Sequence, residues 1–126
     1  MWRSVTVCFV CALAFTGLTA CGGDDNGGNA PPAGSGTKVT VKMTDYHLQL
    51  SQQTFSPGVY TFTATNDGQT DHAIEIDGGG VEKETSHVSP GQSADLTVEL
   101  KAGQYEMYCP VDSHKDEGMK TEITVG

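Results

Sequence analysis

Apolar and polar residues alternate with a period of two over most of the chain from Thr37 onward, which is the pattern of half-buried β-strands. The clearest alternating segments are Val39–Met43, Tyr60–Ala64, His72–Ile76, Leu96–Leu100, Tyr105–Cys109 and Ile123–Val125. Turn-forming residues separate them, and no long segment has the apolar stripe of a helix. The sequence therefore predicts an all-β domain over residues 37–126, an antiparallel sandwich or barrel of about six to eight short strands. The pattern is weakest over residues 44–56 and 79–88.

The first 20 residues have the pattern of a secretory signal peptide. Arg3 precedes an apolar run of about 11 residues, which is too short to span a bilayer because a spanning helix needs roughly 20. The sequence Leu18-Thr19-Ala20-Cys21 then resembles the cleavage box of bacterial lipoproteins. By that resemblance, residues 1–20 are a lipoprotein signal peptide and Cys21 becomes the lipidated N-terminus. A plain signal peptide is the alternative interpretation.

Residues 21–36 are predicted to form a flexible linker behind the lipidated Cys21. The stretch from Gly22 to Gly36 is rich in Gly and Pro and contains no large apolar residue, so it cannot build a core. We expect an exported protein that is anchored to the cell membrane by its lipid. Its domain would then face the periplasm or the cell exterior.

The charge balance is strongly acidic and limits the partners to be expected. Sixteen Asp and Glu residues against seven Lys and Arg residues give a formal net charge of −9. A nucleic-acid-binding protein needs a basic face against phosphate, so we expect no nucleic-acid partner. The acidic residues of the loop after Cys109, which are Asp112, Asp116 and Glu117, would steer a partner protein with a basic docking face. A merely solvated surface is the alternative, and we expect a monomer.

The positions of the four cysteines single out Cys109. Cys8 and Cys11 lie in the predicted signal peptide and Cys21 in the lipoprotein box, so Cys109 alone belongs to the predicted domain. A disulfide within that domain is therefore impossible. A single thiol in an exported protein is exposed to oxidation, and metal ligation is one reason for its presence.

Cys109, His114 and Met119 follow one another at intervals of five residues after a predicted strand. A loop of that size can fold back and place a thiolate, an imidazole and a thioether around one point. His72, on the apolar face of an earlier predicted strand, is the candidate for a fourth ligand.

Two imidazoles, one thiolate and a weak thioether are the donor set of a blue copper site. Structural zinc sites take more Cys and His and do not use Met. Iron–sulfur clusters need several Cys, and calcium and magnesium prefer oxygen ligands. These residue types therefore predict one type 1 copper ion per chain.

Each candidate ligand also has an ordinary explanation when it is considered alone. A buried Cys or Met packs in a core, a His on an apolar strand face can be a satisfied core residue, and a His among charged loop residues can simply be exposed. The order and the spacing of the four residues favour a shared metal site. His47 and His87 have no assigned role.

The segments around these residues resemble the cupredoxins, and especially the plastocyanin/azurin-like copper-binding lipoproteins of bacteria. The resemblance rests on Asn66-Asp67-Gly68, on His72-Ala73-Ile74, and most specifically on Tyr108-Cys109-Pro110 followed by His114 and Gly118-Met119. It implies a Greek-key β-sandwich with copper at one end. It also implies that His72, Cys109, His114 and Met119 are the copper ligands.

Two features depart from the family pattern. The residue after the first ligand His is often Asn or Ser in the family, where it helps to tie the ligand loops together, but it is Ala73 here. The ligand loop is also unusually charged, with Asp112, Lys115, Asp116 and Glu117, whereas azurin-like proteins surround their exposed His with apolar residues.

These expectations describe a type 1 copper protein that carries single electrons between redox partners at the cell envelope, with His114 as the electron port. The same ligands would suit a lipoprotein that delivers copper and exchanges metal rather than electrons. We expect no enzymatic activity, because Cys109 is predicted to point inward and no oxyanion-hole motif accompanies it. A metal-free β-sandwich, such as an adhesion module, is the remaining alternative.

Overall fold

The computed structural model describes residues 36–126 of the 126-residue chain. The predicted signal peptide (residues 1–20), the lipidation of Cys21 and all but the end of the linker lie outside the described residues. Within residues 36–126, no helix is long and apolar enough to cross a lipid bilayer.

Eight strands form two four-stranded sheets that pack face to face. The first sheet has the order β2-β1-β3-β6 and the second the order β5-β4-β7-β8. The chain changes sheet between β3 and β4, between β5 and β6, and between β6 and β7, so these connections are of the Greek-key kind. The predicted all-β sandwich is confirmed. The strands are β1 (Thr37–Thr44), β2 (His47–Leu50), β3 (Gly58–Asn66), β4 (Glu75–Gly78), β5 (Val81–Glu84), β6 (Ser93–Leu100), β7 (Gly103–Tyr108) and β8 (Lys120–Val125).

The core lies between the two sheets and is filled mainly by residues that alternate with more exposed ones along the strands other than β5. Val39 and Val41 of β1 are fully buried, whereas the residues between and beside them are exposed. Phe62 of β3 is the largest fully buried side chain of the described residues, and Ile76 and Met107 lie opposite each other in the second sheet. Burial of each such side chain contributes about 1.5–3 kcal/mol to the stability of the fold, so the apolar residues at every second position stabilise the packing of the two sheets.

One strand pairing differs from the predicted antiparallel arrangement. β1 and β3 pair in parallel, with Val39 opposite Phe62. After β2 the chain leaves the first sheet, forms a parallel bridge to β8 between Phe55 and Val125, and returns as β3 in the direction of β1. The prediction of a purely antiparallel sandwich was wrong here because a period of two is the same in parallel and antiparallel strands.

The two segments with a weak pattern contain the short edge strands β2 and β5. Each pairs on one side only, with β1 and β4 respectively. In β5, Val81 is half-buried and the other three residues are exposed, so the strand shows no alternation. These two short edge strands therefore leave little hydrophobic signal in the sequence.

Candidate metal centre

Three of the four predicted ligands meet at one end of the sandwich. The ligand atoms of His72, Cys109 and His114 all lie within 4.8 Å of one another. The two Nδ1 atoms of the histidines are 3.2 Å apart, and the Cys109 Sγ is 3.9 Å from the Nδ1 of His72 and 3.6 Å from the Nδ1 of His114. His72 and Cys109 are fully buried, and His114 is 7% exposed.

The size of this triangle fits a first-row metal ion. With metal–nitrogen and metal–sulfur bonds of about 2.05 and 2.3 Å, three donors arranged around one ion would be separated by about 3.5 Å for N–N and about 3.7 Å for N–S. The three separations lie within about 0.3 Å of these values. Two imidazoles and one thiolate are also the equatorial donors of a blue copper site, so the chemistry of the donors and their spacing agree.

Cys109 is aimed into the centre by the alternation of β7. Tyr105 and Met107 point into the core, and the same alternation buries the Cys109 side chain completely. The strand ends at Tyr108, one residue earlier than the predicted segment. The backbone N–H of Cys109 donates to the carbonyl of Met119 at 3.0 Å, and the N–H of Ala73 lies 3.5 Å from Sγ.

His72 lies just before β4 rather than inside a strand. The predicted strand His72–Ile76 begins only at Glu75. His72 instead forms an isolated bridge with Val88, in which its N–H donates to the Val88 carbonyl at 3.1 Å and its carbonyl accepts from the Val88 N–H at 2.7 Å. This bridge fixes the backbone of His72 without a full strand.

Asn66 ties this segment together, where Ala73 has no side chain that could do so. The amide nitrogen of Asn66 donates to the carbonyls of Val88 at 2.6 Å and Thr70 at 2.8 Å, and its oxygen accepts from the N–H of Gly68 at 2.8 Å. Asn66 is fully buried. These bonds hold the segment around His72, but none of them reaches the Cys109–Met119 loop, so they do not replace the family's bond between the ligand loops.

The outer nitrogen of His72 meets a carboxylate that the sequence analysis missed. The Nε2 of His72 lies 2.7 Å from the Oδ1 of Asp45, whose side chain is 24% exposed. The backbone N–H of Gln69 donates to Oδ2 at 2.9 Å, and the hydroxyl of Thr70 lies 3.3 Å from Oδ1. The hydrogen bond from Gln69 is the main reason why the pKa of Asp45 lies below its usual value. Asp45 is therefore a carboxylate at neutral pH.

His114 reaches the surface only at its edge, because Tyr46 lies against it. The two ring centroids are 4.8 Å apart at an angle of 53°, and Tyr46 is 39% exposed. The predicted port is thus a nearly buried imidazole with a partly exposed phenol ring beside it. Neither Asp45 nor Tyr46 carries a recognisable signal in the sequence, since both lie in the weakly patterned segment 44–56.

The loop between β7 and β8 is folded by short backbone hydrogen bonds. The N–H of His114 donates to the Val111 carbonyl at 3.1 Å, and the N–H of Met119 donates to the His114 carbonyl at 3.0 Å. Gly118 has a φ of +106°, which favours a glycine.

The Met119 side chain is fully buried, and its backbone bonds both His114 and Cys109. Ligation by its sulfur stays a prediction. His47 and His87 are exposed and lie outside the cluster.

A two-sheet sandwich with buried His, Cys and His side chains at one end defines a cupredoxin-like protein. The sequence matches the cupredoxin-like domain over residues 7–125, so the chain belongs to this family. The comparison with curated protein sequences gave no match.

Many solved structures share the fold, and three of them illustrate the low sequence identity. The dithionite-reduced auracyanin of the photosynthetic bacterium Roseiflexus castenholzii is 20% identical with a TM-score of 0.59, covering 74% of this chain and 99% of its own. Reduced rusticyanin is 20% identical with a TM-score of 0.54, covering 73% of this chain and 81% of its own. A multicopper oxidase is 16% identical with a TM-score of 0.55, covering 77% of this chain but only 45% of its own. Likeness at these identities shows the fold alone.

Proposed function

We propose that this protein is a type 1 copper protein that carries single electrons between redox partners at the cell envelope. The observation that carries the proposal is the buried triangle formed by the Nδ1 atoms of His72 and His114 and the Sγ of Cys109. Met119 is the proposed weak fourth ligand. Similarity to auracyanin and rusticyanin, both described in a reduced state, supports this assignment.

The surrounding residues hold the donors in one arrangement. Copper bound there would supply a one-electron change between its two common oxidation states. The bridge to Val88 holds His72, the bond to Met119 holds Cys109, and turns of the loop hold His114. A donor set that does not rearrange keeps the structural cost of each electron transfer low, and the burial of the donors keeps water away from them.

Two rings connect the centre with the surface. The Nδ1 of His114 faces the other donors, and Tyr46 lies against the His114 ring and reaches solvent. A partner that docks over Tyr46 would come within two ring widths of the donors. The electron port is therefore proposed to be His114 together with Tyr46.

We propose no enzymatic activity for this chain. The Cys109 thiol is fully buried and faces two imidazoles, so a substrate has no direct approach to it as a nucleophile. The similarity to a multicopper oxidase covers less than half of that chain. A reaction of that whole protein cannot be assigned to this single domain.

The comparison of two rates distinguishes an electron carrier from a copper-delivery protein. Electron self-exchange between the reduced and the oxidised copper-loaded protein is expected to be faster than the loss of copper to a chelator. Line broadening in mixtures of reduced and oxidised protein measures the first rate, and loss of the visible absorption in excess chelator measures the second. Copper loss within seconds, with slow self-exchange, would contradict the carrier proposal and favour delivery.

The outer face of the second sheet supports the proposal of a basic partner. One acidic row crosses all four strands, because its members are directly paired from strand to strand: Glu82, Asp77, Glu106 and Glu122. In the next row, a hydrogen bond to Glu75, burial and nearby carboxylates raise the pKa of Tyr108 above its usual value. Like charges side by side cost stability in a sheet. Lys115 already pairs with Glu106, so a basic partner would relieve the repulsion among the other carboxylates of the row.

Electron transfer to a cationic haem protein is expected to slow about tenfold between low and high salt, because exposed charges are screened. The double variant D77N/E82Q should be slower at low salt and should depend less on salt. E99Q, an exposed change on the first sheet, removes one charge that does not belong to the row and serves as the control. Equal salt dependence of D77N/E82Q and the unmodified protein would rule out docking at the acidic row.

We further propose export and membrane anchoring through lipid on Cys21, with the domain facing the periplasm or the cell exterior. The support comes from the sequence: the apolar run and the Leu18-Thr19-Ala20-Cys21 box, followed by a Gly-rich linker. The mass of the N-terminal peptide from cells tests this. An unmodified N-terminus that still contains residues 1–20 would contradict it.

A further inference from the structure

The turn between β1 and β2 places a carboxylate on the side of the His72 ring that faces away from the other donors. The Nε2 of His72 is 2.7 Å from Asp45, while its Nδ1 faces Cys109 and His114. An ionised carboxylate only accepts hydrogen bonds, so Nε2 carries the proton. A neutral imidazole with a protonated Nε2 has its lone pair on Nδ1. Asp45 thus selects the tautomer that can bind a metal at the centre.

The carboxylate is itself held in place from other directions. Asp45 accepts hydrogen bonds from Gln69 and Thr70, which belong to the segment just before His72. Gly68 lies against the contact, because a Cβ at this position would overlap the Oδ1 of Asp45 and come within 2.8 Å of the His72 Nε2. The Asp45–His72 pair, 27 residues apart in sequence, therefore fits beneath a residue that has no side chain.

We propose that Asp45 is a positioning residue for the metal centre, which orients His72 and adds negative charge behind it. The proposal rests on the proposed copper site. A carboxylate bonded to the far nitrogen of a ligand His fixes the ring and makes the ligating nitrogen more basic. The more basic nitrogen and the added negative charge favour the more highly charged copper ion, so Asp45 lowers the reduction potential of the site.

The first test uses metal-free protein and needs no electron-transfer partner. Nitrogen-15 NMR of the His72 ring should show the proton on Nε2 in the unmodified protein and a mixture of tautomers in Asp45→Ala. A proton on Nδ1 in the unmodified protein would overturn the proposal. So would an unchanged tautomer in Asp45→Ala. Neither result depends on whether the protein carries electrons or delivers copper.

The second test measures affinities and potential in the copper-loaded protein. Loss of such a carboxylate typically weakens metal binding 10- to 100-fold. We expect Asp45→Ala and Asp45→Asn to weaken Cu(II) binding about tenfold more than Cu(I) binding, a rise in potential of about 59 mV. Asp45→Glu, which keeps the charge, should restore part of the difference. Asp45→Asn keeps the side-chain volume, so the measurement stands even if Asp45→Ala does not fold.

Asp67→Asn is the matched control, because it removes one negative charge next to Gly68 from a carboxylate that pairs with Lys42 rather than with His72. Asp67 is 45% exposed and its carboxylate lies 3.4 Å from the Nζ of Lys42. This variant should leave the tautomer unchanged and shift the potential much less than Asp45→Asn. If Asp45→Asn and Asp67→Asn shift the potential equally, or if Asp45→Asn lowers only the stability of the metal-free protein, Asp45 is not a positioning residue.

Discussion

Cys109→Ser is expected to abolish the intense visible absorption of the copper-loaded protein. That absorption arises from charge transfer between a thiolate sulfur and copper, and a serine hydroxyl supplies neither the soft sulfur nor a negative charge near neutral pH. The affinity for copper should fall by more than about 100-fold, since the loss of a mere supporting residue already costs 10- to 100-fold. Titration with Cu(II), followed by visible absorption and electron paramagnetic resonance, measures both effects. The unmodified protein should show narrow copper hyperfine splitting at one copper per chain.

The control for this prediction is Cys109→Ala, which removes the sulfur without burying a hydroxyl in the fully buried position. Both variants should lose the absorption, and circular dichroism should show that both keep the sheet structure. A Cys109→Ser protein that still absorbs intensely would show that the sulfur is not a ligand. Weak, broad copper signals from the unmodified protein would show that the three donors do not act together, and would favour the metal-free interpretation.

The candidate ligands could be predicted from the sequence because three of them lie on one short segment. Cys109 extends the alternation of β7, so its inward direction followed from the period of two. His114 and Met119 follow at intervals that a tight loop can close, and short backbone bonds do close it. His72 was harder to place, since it lies in an isolated bridge rather than in a strand.

The supporting residues could not be found in this way. Asp45 contacts His72 across 27 residues, and the contact depends on how the β1–β2 turn packs against the segment around Gly68. Tyr46 reaches His114 from the same turn. A hydrophobic pattern reports which face of a strand is buried, but it carries no information on which two loops meet at the end of a sandwich.

The alternation of apolar and polar residues predicts the class of the fold, whereas its Greek-key connections were expected only from the family resemblance. Buried residues such as Val39, Val41 and Ile76 made the two-sheet core visible in the sequence, because each one alternates with more exposed neighbours. The parallel pairing of β1 with β3 depends on the route of the chain between them, past β8. That route has no hydrophobic signature of its own.

Asn66→Ala is expected to lower the free energy of unfolding of the metal-free protein by about 2–4 kcal/mol. Asn66 is fully buried and makes three hydrogen bonds to the backbone around His72. In the variant, the Val88 carbonyl still accepts a hydrogen bond from the N–H of His72, whereas the Thr70 carbonyl and the Gly68 N–H lose their hydrogen bonds to the Asn66 side chain. A fully buried group left without a partner costs about 1–3 kcal/mol, and these two groups are only partly buried, so the expected loss lies in the lower part of the sum for two groups. Urea denaturation at neutral pH measures the change.

The same substitution links the stability of the fold to the metal centre. Asn66 bonds Val88, which forms the backbone bridge with His72, and Thr70, whose hydroxyl contacts Asp45. Copper affinity should therefore fall together with stability. Thr65→Ala is the control. Its hydroxyl bonds only the exposed side chain of Ser93, at 2.9 Å, and its loss should change stability by no more than about 0.5 kcal/mol. Equal effects of the two substitutions would mean that the Asn66 bonds do not hold the His72 segment. A stability loss without any loss of copper affinity would mean that the ligand geometry is fixed independently of that segment.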